Sequence, residues 1–263
     1  MATDQLGDQL WDRICREARA VVAAEPALAS FVYASVLAHD SLERVVVHRV
    51  AAALDHPEVP AELLRLTYEQ ALAGDAGIAA AFRADLDAVD ERDPAAGKLL
   101  EPLLYFKGFA AIQAHRLAHW LWNHSRRDLA AYIQSRSSAA FGIDIHPAAR
   151  IGKGIMLDHG TGVVIGETAV IDDEVSILQG VTLGGTGKEH GDRHPKIRRG
   201  VMIGAGATVL GNIEIGEGAR VAAGSVVLRS VPAGKTVAGI PSKIVGDADA
   251  PAHSMDQVFD PVI

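Results

Sequence analysis

The chain has 263 residues, room for one large or two modest domains, and a formal net charge of -8. Its basic stretches, such as Arg126-Arg127 and Lys196 to Arg199, are short, which excludes the positive patch or stripe of a nucleic-acid binder. The one cysteine, Cys15, cannot form an intrachain disulfide, and no apolar run approaches the roughly 20 residues of a membrane span. The segment Met1 to Gln5 is acidic and polar, without signal-peptide character, so the expected location is the cytoplasm.

Residues 1 to about 140 read as helical. Leu10, Ile14, Ala18 and Val21 recur at helical spacing. Asp40 and Glu43 read as a capping box ahead of a helix over 42–54. Pro60 opens the next helix, which carries Leu63, Leu64, Leu66 and Tyr68. Asp90 to Lys98, containing Asp93-Pro94 and Gly97, reads as a turn. The strongest helical pattern is Phe109 to Asn123, and another runs from about Arg126 to Ser137. His115, His119 and His124 fall on these helices and read as interface or surface residues.

From Phe141 the period changes to six. Ile145, Ile151, Leu157 and Val163 form one run. After a two-residue slip come Ile165, Ile171, Ile177 and Leu183, and then, past a loop, Ile197, Ile203, Val209, Ile215, Val221 and Val227. A period of six fits neither an amphipathic helix nor a plain strand. It fits a hexapeptide parallel β-helix, each repeat forming one side of a three-sided coil. The predicted coil spans about 143–232, with four to five turns, and the Asp-, Ala- and Pro-rich residues from about Gly246 form a tail. The period carries no handedness.

Two constellations carry chemistry. Asp144, Asp158 and His159 fall near the start of the coil. A carboxylate behind an imidazole fixes its tautomer, and an imidazole titrating near neutrality suits a general base acting on an alcohol. Spacing alone also allows His159 to be a corner residue bonded to the next coil. The second constellation is the thirteen-residue break from Gly184 to Lys196. A solenoid gains nothing structural from such a break, and long excursions are often functional. Arg193 offers a fork for a carboxylate beside His194; the alternative is a solvated surface loop. Thr182 and Glu189 occupy positions where a phosphate-binding loop needs Gly and Ser or Thr. No CxxC or HExxH is present, so no metal is expected. Cys15 lies far from the loop in sequence, and Ser225 completes no nucleophile elbow.

Taken together, several stretches resemble the serine acetyltransferase family. They are Leu103 to Gly108 (LLYFKG), His119 to Trp122 (HWLW), Asp144 to Pro147 (DIHP), Gly154 to His159 (GIMLDH), Val181 to Lys188 (VTLGGTGK), Gly191 to Lys196 (GDRHPK), Val201 to Gly206 (VMIGAG), Gly239 to Pro241 (GIP), and Asp93-Pro94. The resemblance covers nearly the whole chain. It implies an α+β protein: a helical N-terminal domain over 1–140, a left-handed parallel β-helix over 141–245 and a flexible tail over 246–263. It implies acetyl transfer from acetyl-CoA to the hydroxyl of L-serine, with sites between subunits of a trimer and trimers paired into a hexamer.

Carried over residue by residue, His159 is the general base oriented by Asp144, and His194 assists at the substrate hydroxyl. Arg193 binds the serine carboxylate, and Asp93 and Asp158 hold its ammonium group. Backbone N–H groups near Gly184 and Gly185 are candidates for the oxyanion. Gly185, Ala205 and Ala223 would border the pantetheine arm, and Lys243 would meet a CoA phosphate. The resemblance also implies inhibition by L-cysteine at the serine site and insertion of the C-terminal Ile263 into O-acetylserine sulfhydrylase, although Pro261-Val262 departs from the family's usual ending. Two other readings stand beside this one: acetyl transfer to another hydroxyl, such as that of homoserine or a sugar, and a non-catalytic scaffold for the sulfhydrylase.

Overall fold

Apolar residues at helical spacing build eight α-helices among the described residues of the computed structural model, which are 8–188 and 190–248. They are α1 (Gln9–Ala24), α2 (Ala29–Val32), α3 (Leu42–Ala53), α4 (Ala61–Gly74), α5 (Ala76–Arg92), α6 (Leu100–Tyr105), α7 (Lys107–Asn123) and α8 (Arg127–Phe141). The expected capping box is displaced by one residue. Ser41, in extended conformation, accepts from the Arg44 N–H at 3.4 Å, while Asp40 pairs with the Arg44 guanidinium. A cap must come from the last residue before helical dihedrals begin, and that residue is Ser41.

The six-residue period becomes a three-sided coil. One face stacks β1 (Asp144–Ile145), β4 (Val164–Ile165), β7 (Thr182–Gly184), β10 (Thr208–Leu210) and β13 (Val226–Val227). The second stacks β2 (Arg150–Ile151), β5 (Val170–Ile171), β8 (Lys196–Ile197) and β11 (Glu214–Ile215). The third stacks β3 (Met156–Leu157), β6 (Ser176–Ile177), β9 (Met202–Ile203), β12 (Arg220–Val221), β14 (Lys235–Gly239) and β15 (Ser242–Asp247). Every pairing between consecutive coils is parallel, and the aliphatic residue of each repeat points inward. The last element differs from expectation: β15 turns back antiparallel on β14 and closes the end of the third face. A solenoid end left open would expose unpaired backbone, and the hairpin satisfies part of it.

The register exposes two departures from a regular coil. Val209 pairs with Val227 and Ile203 with Val221, eighteen residues on. Ile145 pairs instead with Ile165, twenty residues on, because the corner from Asp158 to Gly162 carries two extra residues. Leu183 pairs with Val209, twenty-six residues on, because the loop before Lys196 adds eight. Both constellations found in the sequence sit at these irregularities.

The helices dock on the coil through buried polar contacts. Asp85, fully buried on α5, accepts from the Ile155 N–H at 2.9 Å with Oδ1. Its Oδ2 takes Arg116 Nη2 at 2.5 Å and Gln113 Nε2 at 3.0 Å, both from α7. Arg116 also donates to the Gly152 carbonyl at 2.9 Å. Arg92, at the end of α5, pairs with Glu174 and donates to the Gly154 carbonyl. At the start of α7, a Cβ on Gly108 would lie 1.9 Å from the Leu157 carbonyl oxygen. Only glycine lets the helix approach the coil this closely. Gly108→Ala is therefore expected to lower stability by about 1–3 kcal/mol, read as a shift of the urea midpoint, and to weaken binding at the adjacent corner.

Candidate active site

The two extra residues after β3 push His159 out of the corner. Its backbone is left-handed, with φ +53°, a conformation costly for a residue with a Cβ and concentrated at functional sites. Its side chain is 74% exposed, and Nε2 lies 3.9 Å from Asp158 Oδ1. Asp93, the residue after α5, and Lys107, at the start of α7, face the same cavity of about 480 Å³, together with Tyr105 and Gly108. Asp93 is fixed by the Ala95 N–H at 2.8 Å. Lys107 donates to Thr161 Oγ1. Burial pushes the Asp158 carboxyl above its ordinary range; His159 opposes the shift, and Asp93 adds to it. Two carboxylates this close repel, and a bound cation would relieve them.

The loop gathers the second constellation at the other edge of the first face, between β4 and β5. Arg193 Nη2 pairs with Glu167 Oε2 at 2.7 Å, and Arg193 Nη1 donates to the Gly191 carbonyl. Gly185 backs the Arg193 side chain. His194 is buried, and its ring lies over Gly166, where a Cβ would come within 2.1 Å of Nε2. Burial first, and then the Arg193 charge, hold the His194 imidazole below its ordinary range, while Glu167 opposes them. The Arg193 guanidinium in turn lowers Glu167.

Asp93, Asp158 and His159 thus meet at one corner, and Arg193, His194 and Gly185 meet at another. The expected contact between Asp144 and His159 is not made. Asp144 starts β1, one coil earlier, and its Oδ1 accepts from Gln134 Nε2 of α8 at 2.7 Å. The carboxylate beside His159 is Asp158. Ala205 and Ala223 line up on the His159 edge, where the Gly224 N–H donates to the Ala205 carbonyl. Gly185 is across the first face from them, because the loop leaves the coil at the end of β7. Lys243 is exposed on β15, opposite Ala238. Sequence reasoning missed Lys107, Glu167 and Thr168. Lys107 lay within a quoted motif, but a helix start docked on a coil corner has no local signal. Among the described residues no cluster of three His, Cys, Asp or Glu side chains could hold a metal ion. No helix among them is long and apolar enough to cross a membrane.

Comparison with known proteins gives the family. The family profile "Serine acetyltransferase, N-terminal" matches residues 10–114, and that of the bacterial transferase hexapeptide matches 194–229. The serine acetyltransferase of Escherichia coli (strain K12) is 55% identical over 252 residues, 95% of this chain and 92% of that protein. The chain belongs to the serine acetyltransferase family. Its coil accordingly has the left hand expected from the resemblance. The right-handed rule arises from helices packing back onto a sheet, and here short turns replace the crossover helices. A crystal structure of serine acetyltransferase in complex with coenzyme A from Brucella abortus strain S19 is similar with a TM-score of 0.93. It is 54% identical, with 95% of this chain and 99% of that one covered. A serine acetyltransferase in complex with cysteine gives a TM-score of 0.89 at 51% identity, covering 92% and 100%.

Proposed function

We propose that the chain transfers acetyl from acetyl-CoA to the hydroxyl of L-serine, giving O-acetyl-L-serine and CoA, as a step of cysteine biosynthesis. The observation that carries this reading is the extruded His159 sharing a cavity with Asp93 and Asp158. A free amino acid presents a cation and a hydroxyl that such a cavity can meet together. Its carboxylate needs a separate partner, and Arg193 is the fork suited to it. In this reading His159 takes the hydroxyl proton as the oxygen attacks the thioester carbonyl. The tetrahedral adduct collapses, the C–S bond breaks, and His159 returns the proton to the leaving thiolate. No covalent enzyme intermediate is needed. Ala205, Ala223 and Lys243 are assigned to the CoA track, with Gly185 contributed from the loop edge.

The base and the carboxylate fork lie on different edges of one coil. The reading therefore takes the complete site to form between neighbouring copies, as a trimer with trimers paired into a hexamer. Asp144 is assigned as the orienting carboxylate in the assembled, substrate-bound state. The proposed location is the cytoplasm. L-cysteine, which replaces the serine oxygen with sulfur, is proposed as an inhibitor at the serine site, and raising serine should relieve it. Ile263, proposed to bind O-acetylserine sulfhydrylase, lies outside the described residues.

The test is CoA release from acetyl-CoA with L-serine, run beside L-homoserine. Absence of serine-dependent release from folded, oligomeric protein would overturn the reading. Arg193→Lys keeps the charge but loses the planar fork. It should raise KM for serine about tenfold or more with a smaller change in kcat. An unchanged KM would remove Arg193 from the serine site.

A further inference from the structure

Thr168, at the corner after β4, holds the base of the loop. Its Oγ1 accepts from the Arg193 N–H at 3.0 Å and the His194 N–H at 3.1 Å. The same hydroxyl lies 2.8 Å from His194 Nδ1. The Thr168 backbone N–H also donates to Nδ1, at 3.2 Å. A nitrogen that accepts a backbone N–H cannot itself carry a proton, so the imidazole proton sits on Nε2. The Asp192 carboxylate is a second acceptor close to the hydroxyl, but the backbone N–H stays aimed at Nδ1 in either case.

We propose that Thr168 is a positioning residue that fixes His194 as the neutral Nε2–H tautomer, making it a hydrogen-bond donor at the site and not a second base. This rests on the reading above that His194 works at the substrate hydroxyl. Around the ring stand the charges of Arg193, Lys196 and Glu167, and the imidazole of His146. Two cations and burial disfavour protonation of His194, and Glu167 alone favours it. A neutral donor aimed at oxygen can stabilise charge developing on the substrate without withdrawing the proton that His159 removes.

The test compares Thr168→Val and Thr168→Ser in the full-length oligomer, with kinetics across pH and ¹⁵N-histidine spectra. The His194 signals are assigned by their loss in His194→Ala. The Val variant keeps the shape but removes the hydroxyl. It should lower kcat on the order of tenfold. Without the hydroxyl that accepts both loop N–H groups, the His194 ring is no longer seated on the Thr168 N–H, so its tautomer signature should become mixed and its titration should move up. The Ser variant should restore the tautomer and most of kcat.

If Thr168 only braces the loop, the Val variant raises KM for serine through a misplaced Arg193 and leaves the His194 spectrum unchanged. That outcome overturns the proposal. So does a Val variant with wild-type kcat and tautomer. Wild-type kcat in His194→Ala would instead remove His194 from the reaction, and the spectra would still report whether Thr168 sets its tautomer.

Discussion

His159→Ala is expected to leave a folded protein of native oligomeric size whose kcat falls by about 10²–10⁴-fold. The stability side follows from its environment. The side chain is 74% exposed, so its removal opens no core cavity. The φ +53° backbone brings the variant no gain, because alanine also carries a Cβ there. The catalytic side follows from chemistry. A serine hydroxyl is a poor nucleophile at neutral pH and needs a base within reach, and in this reading the Asp158 carboxylate is engaged by the substrate ammonium group. Because the imidazole does not hold the substrate's charges, KM for serine should change little. The measurement is steady-state kinetics beside circular dichroism and size-exclusion chromatography. A variant retaining wild-type kcat would show that another group removes the proton. A parallel collapse of oligomer and activity would show that His159 is a structural corner.

The coil could be read directly from the chain because each inward aliphatic residue repeats every sixth position, and a period of six allows few architectures. The same repeat marked both functional places as faults. The slip between Val163 and Ile165 is the two-residue insertion that extrudes His159, and the break after Leu183 is the loop that brings Arg193 to Glu167. What the period could not carry was three-dimensional partnership. Asp144 and His159 are both near the first coils in sequence, yet Gln134 from α8 takes the carboxylate. Gly185, Ala205 and Ala223 share small size, yet one lies across a face from the other two. Thr168 looked like any polar corner residue; its importance lies in its hydrogen bonds to a loop that returns some twenty-five residues later. The antiparallel closing hairpin was hidden because β15 lies beyond the last regular repeat, and its side chains are largely exposed.

Asp85→Ala should be the most damaging single change outside the site, with a loss of about 3–5 kcal/mol. Asp85 is fully buried and serves three partners from two structures: Gln113 and Arg116 on α7, and the Ile155 N–H of the coil. Removing it leaves the Arg116 guanidinium, itself nearly buried, without its counter-charge, and strands a backbone N–H at the interface. Desolvation then works against the folded state with no Coulomb term to offset it. Asp85→Asn keeps the volume and an acceptor for Ile155, so its loss should be smaller, and the gap between the two variants isolates the charge. The consequence reaches the site by geometry. α5 carries Asp93 at its end and α7 carries Lys107 at its start, and both helices are pinned to the coil through this carboxylate. Whatever fraction of Asp85→Ala folds should therefore show a raised KM for serine with the pH dependence of kcat retained, since His159 belongs to the coil alone. Urea unfolding at fixed protein concentration reads the first effect, because oligomerisation makes apparent stability concentration-dependent. Serine titration of the folded fraction reads the second. A stable variant with normal KM would mean that apolar packing alone, through residues such as Phe109 and Leu117, seats the helices on the coil.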